Sequence, residues 1–403
     1  MPGRGIKERL LHRIERDAVV TLTQAMVRTP SHINHTTHEQ EMAKIVESTL
    51  LEMGCDVRFQ EVEDGRANVI GVLKGEAPGP RLFLNGHMDT VPPGEMTDPY
   101  SASIRGGRLC GRGSADMKGA IAAMLVAMGA IAGSSVELRG EVAFAGTVAE
   151  ETGAAGMQCL MDSDIVEADC CIVGEPTSLH IGVAHKGIEW LRITTTGVAA
   201  HASLPEVGTN AIMHMARLIA RIEDELKPRL EQRTHELLGT STVNIGTIHG
   251  GERPNIVPER CAITVDRRWL PGESIESIHK EFTEIVTSAR DLFPDLDVSI
   301  ERLPEIANVW HGPFESAGHS AILEVAANAV KQWSHKPEII GLPYWTDGAL
   351  VQRRGIPTLI LGPGDPDQCH TIDESIRVDR LVAAARIYGQ IILDLCGPKG
   401  DSP

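Results

Sequence analysis

Short apolar runs alternate with helix-patterned segments through the first half of this chain, and several of the runs stop at an acid or a histidine. Residues 68–73 and 81–84 read as strands, the second ending at Asn85-Gly86-His87. Further strands are expected at 140–145 and 168–173, and helices at 10–27, 39–53 and 118–132, where apolar residues recur every three or four positions. Strands alternating with helices are buried on both faces and pair in parallel, so the expected class is α/β, a doubly wound, mainly parallel sheet. Such sheets bind ligands beyond the carboxyl ends of their strands.

From about Lys186 the pattern changes. Strands at 188–195, 241–249, 260–270 and 297–300 are separated by helices at 210–231 and 275–292, the β-α-β-β-α-β order of a ferredoxin-like α+β domain. The first pattern then resumes with helices at 318–334 and 378–395 and strands at 338–340 and 357–361, and residues 397–403 are expected to fray. The expected organisation is a catalytic domain, 1–186 and 303–403, interrupted by an inserted lid and dimerisation domain, 187–302.

Composition narrows the possible partners. A formal net charge of −17 argues against nucleic acid and anionic membranes, which require basic surface. The eight cysteines are scattered without a CxxC pair, and residues 1–16 lack the apolar stretch of a signal peptide. Reduced thiols and a cytoplasmic location are expected, with no membrane-spanning segment.

The chemistry-bearing residues cluster at the ends of the runs. His87-Met88-Asp89 closes one strand, Asp116 sits on the glycine-rich turn 111–119, and Glu150-Glu151 follows another strand. Glu175 lies in Gly-Glu-Pro after an apolar run, and His370 follows the turn-rich stretch 362–365. Two imidazoles with several carboxylates form a mixed nitrogen and oxygen donor set, suited to two divalent metals that hydrolyse amides or esters. His87 is assigned to a metal and Asp89 to orienting an imidazole through its other nitrogen. Asp116 can bridge two cations, Glu151 binds metal, and Glu150 stays free as a general base. Each has an ordinary alternative: an exposed loop pair for His87 and Asp89, a helix N-cap for Asp116, a solvated acidic pair for Glu150-Glu151.

The motifs GHMDTVP (86–92), GRGSADMKG (111–119), EE (150–151), GEP (174–176) and GPGDPDQCHTIDE (362–374) resemble the dinuclear zinc amidohydrolase and metallopeptidase family. That family includes acetylornithine deacetylase, succinyl-diaminopimelate desuccinylase, aminoacylase and glutamate carboxypeptidase. The resemblance implies one metal on His87 and Glu175, the other on Glu151 and His370, Asp116 between them, Glu150 as base, and a cis Asp116–Met117 peptide. The stretch 197–211 resembles the family's lid motif, which implies that His201 stabilises an oxyanion. Asn255 and Arg268 fall where the family binds a substrate carboxylate, a lid-surface salt bridge being the alternative. Thr346-Asp347-Gly348 matches a pocket-lining loop of the family. Cys369 stands where relatives often have alanine and reads as a small buried thiol.

The expected function is metal-dependent hydrolysis of the linear amide bond of an N-acyl amino acid or similar small amide, the substrate carrying a carboxylate. Zinc is the expected metal, with cobalt or manganese compatible with the same donors. A homodimer is expected from the inserted domain's sheet edge and long helices. Dipeptidase, carboxypeptidase or aromatic amine hydrolase activity stays open on the same site. So do a degenerate binding protein and a metal-dependent regulatory or scaffold subunit.

Overall fold

A computed structural model describes residues 2–63, 65–316 and 320–398. It divides into two compact units: one built from the chain up to Val183, Ser316–Ile340 and Thr346 onward, the other from Ala184–Glu315 and Gly341–Trp345.

Three helices open the first unit, α1 (Pro2–His12), α2 (Arg16–Arg28) and α3 (Gln40–Glu52). The single helix expected over 10–27 is therefore two. Glu15 takes an extended conformation between them, while Leu11, Ile14 and Val19 all remain buried, so the apolar period runs across a backbone break that it does not reveal. Strands β1 (Asp56–Glu63), β2 (Arg66–Lys74) and β3 (Ala77–His87) follow. β1 was not expected, because its sequence DVRFQEVE is polar and lies on an exposed edge. Next come β4 (Ser103–Arg105), β5 (Arg108–Cys110), α4 (Gly119–Ala132), β6 (Arg139–Thr147) and β7 (Cys170–Val173).

The second unit holds β8 (Gly187–Thr196), β9 (Ala200–His201), α5 (Ala211–Arg221), β10 (Thr242–Gly250), β11 (Ile256–Val257), β12 (Arg260–Trp269), α6 (Ile275–Leu292) and β13 (Asp297–Arg302). Asn210 caps α5 by accepting from Met213 N, and Ser274 caps α6 in a reciprocal box with Ser277. The helix expected over 210–231 breaks into α5, a wider turn at Ile222–Leu226 and a last turn containing Pro228. Four antiparallel strands in the order β10-β12-β8-β13 form its sheet, the ferredoxin-like plan. α5 and α6 bury Met215, Leu218, Phe282 and Ile285 with Leu191 and Ile263 of the sheet.

Back in the first unit the chain adds α7 (Ala321–Trp333), β14 (Thr358–Ile360), β15 (Ser375–Arg377) and α8 (Val378–Cys396). The expected start of α7 at residue 318 and the fraying expected from 399 onward lie outside the described residues.

The first unit's sheet runs β1-β2-β6-β3-β7-β14. β6, β3, β7 and β14 are parallel, and β1 and β2 make an antiparallel edge. Chain order reverses at β3, which has β6 on one side and β7 on the other, and His87 ends that strand. The register aligns His87 with Thr147, and Val173 with both Asn85 and Ile360, so the four carboxyl ends lie level. This is the switch point where doubly wound sheets bind ligands.

α4 is apolar along its whole length and mostly buried, in one core with α2 and α8. Ser114–Ala132 is long and apolar enough to cross a bilayer by composition, but its burial here accounts for that apolarity. Two strand-end glycines let α4 sit close. A Cβ on Gly86 would lie 2.6 Å from Ile121, and one on Gly174 2.9 Å from Ala120.

Candidate metal centre and active site

Strand ends deliver the first donors. β3 presents His87, the loop after β6 presents Glu150 and Glu151, and the turn after β7 presents Glu175. Asp116 lies on an irregular turn before α4, and its peptide bond to Met117 is cis, as the resemblance implies. His370 comes from the loop beyond β14, 219 positions from Glu151 in sequence.

These groups converge. His87 Nε2 stands 3.1 Å from Asp116 Oδ1 and 3.6 Å from Glu175 Oε1. His370 Nε2 stands 3.3 Å from Asp116 Oδ2 and 3.1 Å from Glu151 Oε1. Each oxygen of the Asp116 carboxylate thus faces a different imidazole. Donor atoms of His87, Asp116 and Glu151 all lie within 4.8 Å of one another. Neutral imidazole nitrogens and carboxylate oxygens at this spacing fit divalent cations.

The electrostatics agree with that fit. Burial raises the pKa of Glu150 and of Glu175 well above the usual carboxylate range, and that of Glu151 as well. Neighbouring carboxylates add to each shift. For His87, burial opposes charge, yet Glu175, Asp116 and Asp89 outweigh it and raise the pKa. His370 is pushed up to about 10, chiefly by hydrogen bonds to Asp116 and Glu151. Carboxylates packed this tightly call for compensating positive charge. Bound cations would supply it.

Asp89 holds the site's geometry. Its backbone carbonyl lies 3.1 Å from His87 Nδ1, and its carboxylate 3.5 Å, which leaves Nε2 for the cluster. The same carboxylate accepts the backbone N–H groups of Glu150 (3.2 Å) and Glu151 (3.0 Å). Glu39 steadies the same loop from the other side, accepting Ala149 N at 3.3 Å while paired with the buried Arg66. Ala149 has φ 64°, a left-handed conformation that those bonds hold.

Several supporting residues had no individual role assigned from the sequence. Glu374 Oε1 accepts the backbone N–H groups of Ala115 and Asp116, and its other oxygen pairs with buried Arg112. Glu374 lies inside the motif around His370, which was the one available hint. Lys118 donates to the carbonyls of Met26 and Thr29, and its complete burial lowers its pKa to about 7. Asp347 is buried beside the cluster, where burial raises its pKa to about 7. Its Oδ2 accepts from Thr147, and Oδ1 has no partner among the described residues. The neighbouring Thr346 is buried, its hydroxyl accepting Gly348 N.

The remaining expected residues belong to the second unit. β9 pairs with β11, setting His201 opposite Ile256, and His201 Nδ1 meets Ser203 Oγ at 2.7 Å. Asn255 accepts Ala202 N through its backbone carbonyl. Arg268 is engaged twice by Asp266, at 2.8 and 3.0 Å, so a substrate carboxylate would have to displace that pair.

Carboxylates and imidazoles gathered over the carboxyl ends of a doubly wound sheet, with one glutamate left over, define a metallohydrolase. Residues 83–394 match the model of peptidase family M20/M25/M40, and the chain belongs to that family of metal-dependent amide-bond hydrolases. It is 31% identical over 392 residues to an acetylornithine deacetylase from Photorhabdus laumondii, covering 94% of this chain and 97% of the relative. It is 25% identical over 385 residues to a probable succinyl-diaminopimelate desuccinylase from Staphylococcus epidermidis, covering 88% and 92%. The crystal structure of the aminopeptidase PepT from Bacillus cereus superposes with a TM-score of 0.78 at 25% identity, covering 94% of this chain and 99% of that one.

Proposed function

We propose that this chain is a deacylase that removes a short acyl group from an N-acyl amino acid, using two zinc ions. His87 and Glu175 would hold one ion, Glu151 and His370 the other, and Asp116 would lie between them. The observation that carries the reading is the Asp116 carboxylate, whose two oxygens face different imidazoles while Glu150 has no side-chain hydrogen bond or ion pair among the described residues. When bound, the ions would supply Lewis acidity toward the amide carbonyl and acidify water nearby.

Glu150 takes the proton from the attacking water and passes it to the departing amine nitrogen. Burial and its acidic neighbours raise its pKa above the ordinary carboxylate value, which makes it a stronger proton acceptor. Asp89 fixes the backbone of Glu150 and the tautomer of His87. The roles of His201 at the oxyanion, and of Asn255, Arg268 and Thr346 toward the substrate, rest on the resemblance. His201→Ala lowering kcat with metal content intact would support the first of them.

The acidic surface supports a small-molecule substrate over nucleic acid or membrane, and the eight free thiols support a reducing, cytoplasmic compartment. Exposed Ile248 and Ile256 on the second unit support a homodimer, which light scattering would report as about twice 43.5 kDa.

The deciding experiment is a panel of N-acetyl, N-succinyl and N-formyl amino acids and short peptides, assayed with and without chelator, for wild type and Glu150→Gln. Chelator-sensitive deacylation, falling ~10²-fold or more in the variant with both metals retained, is the expected result. Near-normal turnover by the variant would remove Glu150 from its role. The match to an aminopeptidase supports a second reading, peptide hydrolysis on the same site. Cleavage of peptides alone would select it.

A further inference from the structure

A second constellation in the first unit lies outside the residues assigned to hydrolysis. A cavity of ≈ 730 Å³ is lined by Arg16 at the start of α2, Arg108 on β5, Arg377 on β15 and Arg386 on α8, beside Trp333 at the end of α7. Its volume is in the range of small-ligand sites. Asp379 is the one acid among its lining residues, beside four arginines, on a chain whose net charge is −17. Such a concentration of arginine runs against the composition of the whole protein.

The cavity wall includes the first turn of α8, where Val378 N donates to the Gly107 carbonyl and Asp379 Oδ1 accepts Arg380 N. The Gly106-Gly107 turn lies beside it with open space where side chains would stand. Arg386 lies over the Trp333 ring, 5.4 Å from its centroid, which fixes the direction of its fork. Its Nε is buried without a partner, and it forms no ion pair among the described residues. The other three arginines are paired with Asp17, Asp365 and Asp379. Arg16 and Arg377 make those pairs at the solvent edge, where an ion pair is weak and a multiply charged anion can exchange for it.

We propose that this cavity binds a small molecule carrying two or more phosphate or carboxylate groups, held by bidentate arginine contacts. Its location suits an effector. Arg108 and Arg377 stand on paired strands that lead directly into 111–116 and out of 370–374, the stretches that present Asp116 and His370.

Titration calorimetry on the metal-loaded protein at ~0.15 M salt tests this, with fructose 1,6-bisphosphate as the phosphate probe and tricarballylate as the carboxylate probe. Saturable binding of at least one probe with Kd below ~1 mM is expected, weakened about tenfold or more by the double substitution Arg16→Gln, Arg386→Gln. The probe that binds identifies the anion's chemistry. Should the double variant misfold by circular dichroism, Arg386→Gln alone serves, with the same direction of change. No saturation by either probe would overturn the proposal. So would binding indifferent to these arginines, which is the expected behaviour of an anion lodged on the metals instead.

Discussion

His311 is buried in the second unit, its ring against Trp345 and its Nδ1 near the Val309 carbonyl. Burial pushes its pKa down to about 4, so the folded chain keeps it neutral where the unfolded chain would charge it near 6.5. Between those values the unfolded state binds the extra proton, and stability falls as pH drops. The slope contributed is at most ~1.4 kcal/mol per pH unit. His311→Gln should flatten the pH dependence of the urea midpoint between pH 6.5 and 4, and an unchanged slope would assign the acid sensitivity elsewhere. Residues of this kind were invisible in sequence, since a histidine after a tryptophan carries no sign of its depth. Glu374, Lys118 and Asp347 stand in legible motifs, but their roles were hidden for the same reason: those roles are contacts to backbone or to burial, which no spacing encodes. His87, Asp116, Glu150, Glu151, Glu175 and His370 stood out because each sits in a recognisable motif, most of them at the end of an apolar run.

At the scale of elements, the loop between β6 and residue 155 depends on the buried pair Glu39–Arg66. Glu39→Gln would leave the Arg66 guanidinium buried, with Glu63 its one remaining ion-pair partner among the described residues, and should cost about 3 kcal/mol. It should also lower kcat, because Ala149 and the two glutamates after it lose one of their anchors. Adding Arg66→Met should recover most of the stability by thermal unfolding but not the turnover. A double variant as unstable as the single one would show that the pair's charge is not the cause. Elements with a strong period were legible, including β3, α4, β6, α6 and α8. β1 was not, because an edge strand needs no apolar run, and the α1–α2 break was not, because three extended or turn residues do not interrupt the apolar stripe.

For the whole molecule, burying several carboxylates together works against folding unless cations bind there. Chelation should therefore lower the thermal midpoint by several degrees, and added zinc should restore it, since a ligand at ~10³ times its Kd contributes about 4 kcal/mol. Calorimetry with and without chelator measures this, and a midpoint indifferent to chelator would argue against a metal pair in the native fold. By itself, the sequence determined the α/β class, the ferredoxin-like order of the second unit and the identities of the converging donors. Periodicity and strand-end motifs are local properties, readable from neighbours along the chain. The tertiary structure alone decided that Glu374 receives the amides of Ala115 and Asp116, that Asp89 and Glu39 clamp one loop from two sides, and that four arginines share a cavity. Those facts depend on parallel register and helix packing, which join residues hundreds of positions apart through contacts that no local pattern records.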